Sequence, residues 1–403
     1  MDYFVLAVFL LVYLGMFLGE LPGLALDRTG IALLGAIALV ASGRLSLDAA
    51  WAAIDVPTIA LLLGLMVVSA QFRLGGFYTA VTRRLGAGEH APAGLLALVV
   101  ATAGGLSAIL ANDIVCLAMA PVLVDLCARR RLDPVPYLLA LACASNVGSA
   151  ATLIGNPQNM LIGEVLDLHF ARYLWDAGIP AAIGMGVVWL VIRGVYQSRW
   201  QLETPVPRVD GAPYDHWQTM KGCAVVVAVM AAFLFTGWPR ELVALAAAGA
   251  LLMSRRMASR DMLGLVDWQL LVLFAGLFIV NAAMAQSGHL ATAFDTLRAS
   301  GFDVAQPATL FGVTVLVSNL VSNVPAVMLL LPAATHELAG PILALASTLA
   351  GNLLIVGSIA NLIVVDQARR LGVDINWRAH LRVGMPVTLA TLAVAAIWLW
   401  VAA

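Results

Sequence analysis

The chain has 403 residues, of which 62% are hydrophobic and 11% are charged, and its mean hydropathy is +0.95. Soluble domains carry about 25% charged residues, so this composition excludes a water-soluble globular protein. The formal net charge of −1 gives no basic surface that would bind nucleic acid. Long apolar runs are typical of helices that cross a bilayer. We therefore expect an all-α polytopic membrane protein.

Charged residues, prolines and glycines divide the apolar sequence into ten expected spans. Their approximate limits are 3–20, 29–43, 57–72, 135–168, 176–196, 221–237, 240–254, 267–286, 342–366 and 383–402. The first run lacks a basic n-region and a cleavage site, which indicates a permanent span instead of a signal peptide. The four cysteines show no paired spacing, so no disulfide framework is expected.

Two further apolar segments, 92–128 and 304–338, are interrupted at their centres by Asn112-Asp113 and by Ser322-Asn323. Each half is about 15 residues, or about 22 Å of helix, which is too short to cross the hydrocarbon core. Irregular backbone at membrane depth is tolerated only where protein or water surrounds it. Each segment is therefore predicted to be a re-entrant helical hairpin.

The two halves of the chain match in residues that are rare elsewhere in it. The matched pairs are Arg28 and Arg240, Asp55 and Asp267, Gly64 and Gly276, Gly76 and Gly288, Ser107 and Ser318, Asn112 and Asn323, Pro121 and Pro332, Ser145 and Ser347, Gly155 and Gly357, and Asn159 and Asn361. The offset is 212 for the first four pairs, 211 for the next three and 202 for the last three. This pattern predicts an internal repeat.

The predicted first repeat covers 1–200, with its hairpin at about 92–128 and a broken helix at about 135–168. A linker at 201–220 leads to the second repeat at 221–403, with a hairpin at about 304–338 and a broken helix at about 342–366. Each repeat has five spans, one of them interrupted, plus a re-entrant hairpin. Because five is odd, the second repeat is inverted relative to the first. Inverted repeats with broken helices indicate a transporter whose site lies near the midplane, although channels also contain repeats.

The distribution of basic residues predicts the orientation. With the N-terminus outside, four of the 22 basic residues lie outside, Arg44, Arg172, Arg240 and Arg298, and the others lie inside. This bias follows the positive-inside rule and predicts an inner-membrane protein with both termini outside. Glu164, Glu337 and Asp366 are expected toward helix ends, facing water, and the six histidines are expected in loops or at helix ends.

Four polar clusters interrupt the apolar segments and form the candidate site. Glycine and proline free backbone groups by breaking the helical ladder, and freed carbonyls can coordinate a cation. Half-helix N-termini favour an anion. Serine and asparagine also commonly hold membrane helices together, but their matched placement at four breaks favours a binding site. The predicted substrate- or ion-binding residues are Ser107, Asn112, Asp113, Gly155, Asn156, Asn159, Ser318, Ser322, Asn323, Gly357, Ser358 and Asn361.

Asp113 is the strongest candidate for a functional residue, because a carboxylate at membrane depth usually pairs, binds a cation or relays protons. Its partner in the repeat is Val324, so the two hairpin tips differ in charge. We predict proton coupling at Asp113, with N-capping of a helix from Ile114 as the structural alternative. Cys116 and Cys143 could bind a thiophilic solute, but small apolar packing is the favoured interpretation.

Asp55 and Asp267 are expected to cap their helices and are not assigned to the site. No metal-binding, phosphate-loop or nucleophile motif is present, so an enzyme is not expected and no cofactor is predicted beyond Na⁺ or H⁺ as coupling ion.

These motifs resemble those of the ion transporter superfamily, over essentially the whole chain. That superfamily includes arsenite permeases, citrate permeases, NhaD-type sodium/proton antiporters and divalent-anion:sodium symporters. The resemblance rests on Ala111-Asn112-Asp113 with Pro121, Gly155-Asn156-Pro157-Gln158-Asn159, Ser318-x-x-x-Ser322-Asn323 and Gly357-Ser358-Ile359-Ala360-Asn361.

The resemblance implies two sodium or substrate half-sites. One would contain Ser107, Asn112 and Gly155, and the other would contain Ser318, Ser322, Asn323 and Gly357. Ala111, Asp113, Gln158 and Val324 depart from the symporter motifs, which argues against sodium-driven dicarboxylate uptake. The Asn112-Asp113 pair is more similar to the arsenite permease and antiporter branch, which implies proton coupling. The resemblance also implies elevator-type motion and a homodimer.

We therefore expect a secondary active transporter of a small anion or oxyacid, such as arsenite, another inorganic anion or a carboxylate, coupled to protons or a cation. The alternative is a sodium/proton antiporter. A sodium-dependent dicarboxylate symporter and a channel are less favoured. The expected partners are the solute, the lipid bilayer and a second copy of the chain.

Overall fold

The structure is a computed structural model that describes residues 2–19, 23–88, 90–197, 200–201 and 213–402. These residues form α-helices and two short 3₁₀ turns with no β-strand among them, and an isolated β-bridge joins Leu132 and Gln201. The expectation of an all-α fold is confirmed.

The helices of the first half are α1 Tyr3–Leu18, α2 Arg28–Ala41, α3 Leu47–Ala53, α4 Val56–Leu74, α5 Phe77–Ala87, α6 Pro92–Ile109, α7 Asn112–Arg130, α8 Pro134–Ser149, α9 Pro157–Val165 and α10 Phe170–Tyr196. Those of the second half are α11 His216–Phe235, α12 Arg240–Leu252, α13 Ser259–Leu263, α14 Trp268–Gln286, α15 His289–Ala299, α16 Pro307–Val321, α17 Asn323–Leu330, α18 Ala339–Ala350, α19 Ile359–Arg370 and α20 Trp377–Ala402.

Six helices within the described residues are long and apolar enough to cross a bilayer, namely α4, α6, α10, α11, α14 and α20. Other expected spans form shorter helices, such as α1 with 16 residues, α2 with 14 and α12 with 13. Of the six long helices, α6 is a hairpin arm, and several of the ten expected spans correspond to apolar helices of 12 to 16 residues, so the count of ten stays a prediction. Apolar runs counted at the sequence level include the turns on either side, which leave the helical ladder.

The first hairpin consists of α6 and α7, with only Leu110 and Ala111 between them. Its arms have 18 and 19 residues, so the expected length of about 15 was wrong, because the break uses so little chain. The segment nevertheless returns to where it began, since Arg130 Nη2 at the end of α7 donates to His90 O, 2.7 Å away, just before α6. Both ends of this hairpin therefore lie on the same side.

The second hairpin consists of α16 and α17, followed by a 3₁₀ turn at Leu331–Ala333. Its second arm is much shorter, with 8 residues in α17. Residues Asp303 to Ala305, just before α16, line one cavity of about 190 Å³ together with Pro332, Ala333 and Thr335, so the two ends of this hairpin also meet.

The broken helices are interrupted where glycine and polar residues cluster. The first consists of α8 and α9, with residues 150–156 between them, and the second consists of α18 and α19, with 351–358 between them. The second continues to Arg370, beyond the predicted end at 366, because Asp366 pairs with Arg370 one turn later at 2.8 Å.

Four short helices were not predicted, because they are too short and too polar to be bilayer spans. They form two pairs at the same offset of 212, with α3 and α13 starting at Leu47 and Ser259, and α5 and α15 starting at Phe77 and His289. The glycines before α5 and α15, Gly76 and Gly288, both have left-handed backbones, with φ of 68° and 77°. Glycine adopts this conformation without a steric penalty.

Two close helix contacts connect the halves in a reciprocal way. A Cβ at Gly64 of α4 would meet the backbone of Ala244 in α12, and a Cβ at Gly276 of α14 would meet that of Ala32 in α2. Both glycines allow two helices to approach closely, as small residues do in membrane proteins. Because all four residues follow the 212 offset, this crossed packing is what a pseudo-twofold axis between the halves would produce.

The predicted linker at 201–220 extends into the first turn and a half of α11. Its part at 202–212 lies outside the described residues, and α11 already begins at His216. Asp215 accepts a hydrogen bond from Gln218 N at 3.0 Å, and this N-cap starts the helix within the predicted linker.

Candidate functional site

The tip of the first hairpin docks on the break of the first broken helix. Asn112 N donates to Gly155 O at 3.1 Å, and Ser107 Oγ lies 2.8 Å from Ser145 Oγ in α8. A Cβ at Gly155 would collide with the backbone of Ser149, so this approach requires glycine. The Oδ1 atom of Asn112 is buried and has no hydrogen-bond partner among the described residues.

Two asparagines build the break of the first broken helix. Asn156 caps α9 by accepting from Asn159 N at 2.9 Å. Asn159 Nδ2 then donates back to Thr152 O and contacts Tyr173 Oη, each at 2.9 Å. Tyr173 Oη donates to Ala150 O at 2.8 Å, so the loop carbonyls that the broken helix frees are satisfied by these side chains.

The tip of the second hairpin docks in the same manner on the second broken helix. Ser318 Oγ donates to Ser347 O at 3.0 Å. With its amide nitrogen facing Ser318, Asn323 donates to Gly357 O at 3.1 Å and accepts from Gln158 Nε2 at 3.3 Å. This last contact reaches across to the first broken helix, so Asn323 connects the two halves.

Two residues give the second tip and the second break their shapes. Ser322, between α16 and α17, has a φ of 75°, a conformation that is costly for any residue other than glycine. Asn361 Nδ2 donates to Gly351 O at 2.8 Å and to Leu354 O at 3.1 Å, as its partner Asn159 does in the first half.

Asn146 of α8 makes hydrogen bonds to four side chains of the site, and it was not among the predicted site residues. Its Nδ2 donates to Asn352 Oδ1 at 2.9 Å and to Asn361 Oδ1 at 3.1 Å. Its Oδ1 accepts from Ser358 Oγ at 2.9 Å and from Asn112 Nδ2 at 3.4 Å. This one amide therefore bonds the first hairpin tip and three residues of the second broken helix.

Thr348 of α18 makes the corresponding bonds to the first broken helix. It lies 202 residues after Asn146, so the two residues are equivalent in the repeat. Thr348 Oγ1 accepts from Gln158 Nε2 at 3.0 Å and from Asn156 Nδ2 at 3.4 Å. The offset was the available signal for both residues, since it places a polar side chain directly after Ser145 and after Ser347.

Both hairpin tips and both broken helices converge on one small cavity of about 20 Å³. Its lining consists of Asn112, Asp113, Pro157, Gln158, Ser322, Asn323, Val324, Ser358 and Ile359. These residues lie in the first turns or at the N-caps of α7, α9, α17 and α19. The N-termini of four helices therefore face this cavity. Their dipoles give it a positive potential, which favours a negatively charged group.

Asp113 is the only acidic residue in this lining. The alternative interpretation of Asp113 as an N-cap was wrong, since α7 begins at Asn112, its N-cap is Ala111, and no side chain caps it. Asp113 is the second helical residue, and it makes no hydrogen bond or ion pair within the described parts of the chain. It is thus a carboxylate that faces a polar cavity without a fixed partner.

The predicted site residues separate into two groups. Asn112, Asp113, Ser322, Asn323 and Ser358 line the cavity itself. The others support these residues from behind and do not line it, and they are Ser107, Gly155, Asn156, Asn159, Ser318, Gly357 and Asn361. Gln158 lines the cavity but was missed, because it was read as a departure from a family motif.

Asp55, Asp267, Glu164 and His380 lie outside the cavity lining. Asp55 and Asp267 do cap their helices, accepting from Thr58 N at 2.8 Å and from Leu270 N at 3.0 Å. Glu164 was expected to face water, but its side chain is only 9% exposed because Arg240 pairs with it. His380 lies near a helix end as predicted, as the fourth residue of α20, and it is buried there with Nε2 3.0 Å from Asn352 O.

Comparison with known proteins agrees with this architecture. Residues 8–342 match the CitMHS family, described as citrate transporter. The chain belongs to this family. The resemblance found in the motifs is thereby confirmed, and the protein is a membrane transporter, not an enzyme.

Several curated proteins are similar over most of their length. A 46 kDa membrane protein of Mycobacterium leprae is 30% identical over 86% of each chain. The silicon efflux transporter LSI3 of Oryza sativa is 29% identical over 93% of each chain. The inner membrane protein YbiR of Escherichia coli is 30% identical over 82% of this chain and 84% of its own.

The fold is also similar to a solved structure, that of the YdaH transporter of Alcanivorax borkumensis. The TM-score is 0.60 at 14% identity, and the match covers 99% of this chain and 97% of that one. At this identity the comparison supports the fold alone.

Proposed function

We propose that this protein is a secondary active transporter that moves a small anion or oxyacid through the central cavity, coupled to protons or a cation at Asp113. The observation that carries this proposal is the convergence of four helix N-termini on a cavity with a single carboxylate. The N-termini favour the anion, and the carboxylate provides a titratable counter-group. Protonation of Asp113 would remove its repulsion of an anionic solute, which links the two binding events.

The size of the cavity indicates how the solute would enter. A space of about 20 Å³ holds little more than one water molecule, so a larger solute can bind only if the lining elements separate. The lining comes from two hairpin tips and two broken helices, which are the elements we propose to move. Elevator-type motion, a homodimer, an inner-membrane location and termini on the outside belong to this proposal.

The relatives suggest the class of solute to be tested. The family is described as citrate transporter, and the rice relative is a silicon efflux transporter. Silicon dissolved in water is a small oxyacid. Both solutes present several oxygen atoms to donors. The amides of Asn112, Gln158 and Asn323 line the cavity but bond to protein groups in this state, so they would donate to a solute once the lining elements separate. We take the proton as the first coupling ion to test, because Asp113, the only acidic residue in the lining, can bind and release it.

A sodium/proton antiporter is the alternative, and the unpaired Asp113 favours it. The purified protein in proteoliposomes separates the two functions. A pH gradient should drive uptake of labelled citrate, arsenite or silicic acid. If sodium moves protons without any added solute, and none of the three solutes accumulates under a pH or sodium gradient, the antiporter replaces our proposal.

A further inference from the structure

Arg240 fixes the far end of the first broken helix to a different helix. It is the first residue of α12, and its Nη1 donates to Leu168 O at 3.0 Å and its Nη2 to Gly163 O at 2.6 Å. Its Nε also lies 2.9 Å from Glu164 Oε1. That carboxylate oxygen has no aligned hydrogen bond, so this third contact is one of charge.

The contact is well shielded from solvent, with the side chains of Arg240 and Glu164 12% and 9% exposed. A guanidinium at the C-terminal end of α9 also satisfies carbonyls that the helix leaves free, and it complements the negative end of the helix dipole. Removing one partner of a buried ion pair leaves an uncompensated charge, so the contact between Arg240 and Glu164 resists separation.

The second half contains the same two charges at the same helix positions. Arg28 is the first residue of α2, as Arg240 is of α12, and the two are 212 residues apart. Asp366 is the eighth residue of α19, as Glu164 is of α9, and these two are 202 residues apart. The sequence repeat therefore supplies a second pair of one arginine and one acid.

In this structure the second pair is not formed. The Nε of Arg28 is buried and has no hydrogen-bond partner among the described residues. Asp366 instead pairs with Arg370 of its own helix at 2.8 Å. One pair is thus closed and its repeat partner is open, although the residues are equivalent.

We propose that the two pairs form an alternating latch. Arg240 with Glu164 holds the first broken helix in the state seen here, and Arg28 with Asp366 holds the second broken helix in the opposite-facing state. Inverted repeats can exchange conformations between the two facing states, so each state closes the latch that the other opens. This inference rests on the proposed transport cycle, but the exchange of contacts can be measured without any solute.

Cross-linking of cysteine pairs in native membranes tests this directly. The variant pairs are Glu164→Cys with Arg240→Cys, and Arg28→Cys with Asp366→Cys. A short bis-methanethiosulfonate reagent is used, because arginine and glutamate together span more than a disulfide does. The four single variants and the unmodified chain, with its native Cys116, Cys127, Cys143 and Cys223, are the controls.

We expect both pairs to cross-link when present separately. With all four substitutions in one chain, each molecule should carry one cross-link or the other, counted by mass spectrometry of the intact protein. Molecules that carry both cross-links at once would overturn the latch, as would a second pair that never cross-links. Neither readout requires transport, so a failure of the proposed solute or coupling ion would leave it unaffected.

Charge-neutral variants give the direction of the effect. Arg240→Gln should increase cross-linking between cysteines at 28 and 366, and Arg28→Gln should increase it between cysteines at 164 and 240. A merely structural role for Arg240 would lower the amount of folded protein without changing this ratio. An unchanged ratio in both variants therefore contradicts the proposal.

Discussion

The two hairpin tips have the same construction but different chemistry. Each places an asparagine at the start of its second arm and packs against the break of the adjacent broken helix. The first tip then carries the carboxylate of Asp113, where the second carries Val324. The second tip carries instead the left-handed Ser322, where the first has Ala111 with an ordinary backbone. We infer that the shared asparagines hold the solute and that the carboxylate of Asp113 supplies the coupling.

The largest effect is expected for Asp113→Asn. The amide keeps the shape but cannot lose a proton, so uptake driven by a pH gradient in proteoliposomes should fall to background. Glu337→Gln is the matched control, because this exposed acid pairs with Arg172 away from the cavity. Retained pH-driven uptake in Asp113→Asn would show that the difference between the tips does not determine coupling.

Asn146→Leu should cost the most stability among the neutral changes. It leaves the polar groups of Ser358, Asn112, Asn352 and Asn361 without a shared partner, which we expect to cost about 3 kcal/mol. Thr348→Val, at the equivalent position, removes a smaller set of bonds and should cost less. The measurement is the midpoint of thermal unfolding in detergent, and equal shifts for the two variants would contradict the central role of Asn146.

Gly155→Ala and Gly357→Ala compare the two docking contacts. A Cβ at Gly155 would enter the backbone of Ser149, whereas a Cβ at Gly357 would lie 3.1 Å from Gly351 O. We expect Gly155→Ala to lower stability by about 2 kcal/mol and Gly357→Ala by clearly less. The midpoints of thermal unfolding of the two variants show which loses more stability. A larger loss in Gly357→Ala than in Gly155→Ala would contradict this prediction.

The smallest effect concerns Ser322. Ser322→Gly should raise stability by about 1 kcal/mol, since glycine adopts a φ of 75° without strain. Ser322→Ala removes the same hydroxyl but keeps the strain, so it should not be stabilised. If both variants bind solute as the unmodified chain does, the Ser322 hydroxyl is not part of the site.

Much of this arrangement could be predicted from the sequence. The breaks at Asn112, Gly155, Ser322 and Gly357 were located because glycine and polar residues are rare within apolar segments and stop a helical ladder. The pairing of these residues across the halves followed from their offsets. The positions of both tips and both breaks were therefore accessible to sequence patterns.

Contacts between distant elements were not accessible in this way. Asn146 lies in the last turn of α8, and its role comes from four partners on other elements, which the local sequence does not reveal. Glu164 looked like a helix-end residue, because the arginine that buries it is supplied by α12. The short helices α3, α5, α13 and α15 lacked the length that a hydropathy pattern detects.

The central claim is that both hairpin tips contribute to a single solute site. The most direct test measures the thermal stabilisation given by citrate, arsenite and silicic acid, each at several concentrations, to the unmodified chain, Asn112→Ala and Asn323→Ala. We predict that whichever solute stabilises the unmodified chain will bind more weakly to both variants. Unchanged apparent affinity in either variant would contradict the claim, because a site that one tip can lose without effect is not shared by the two.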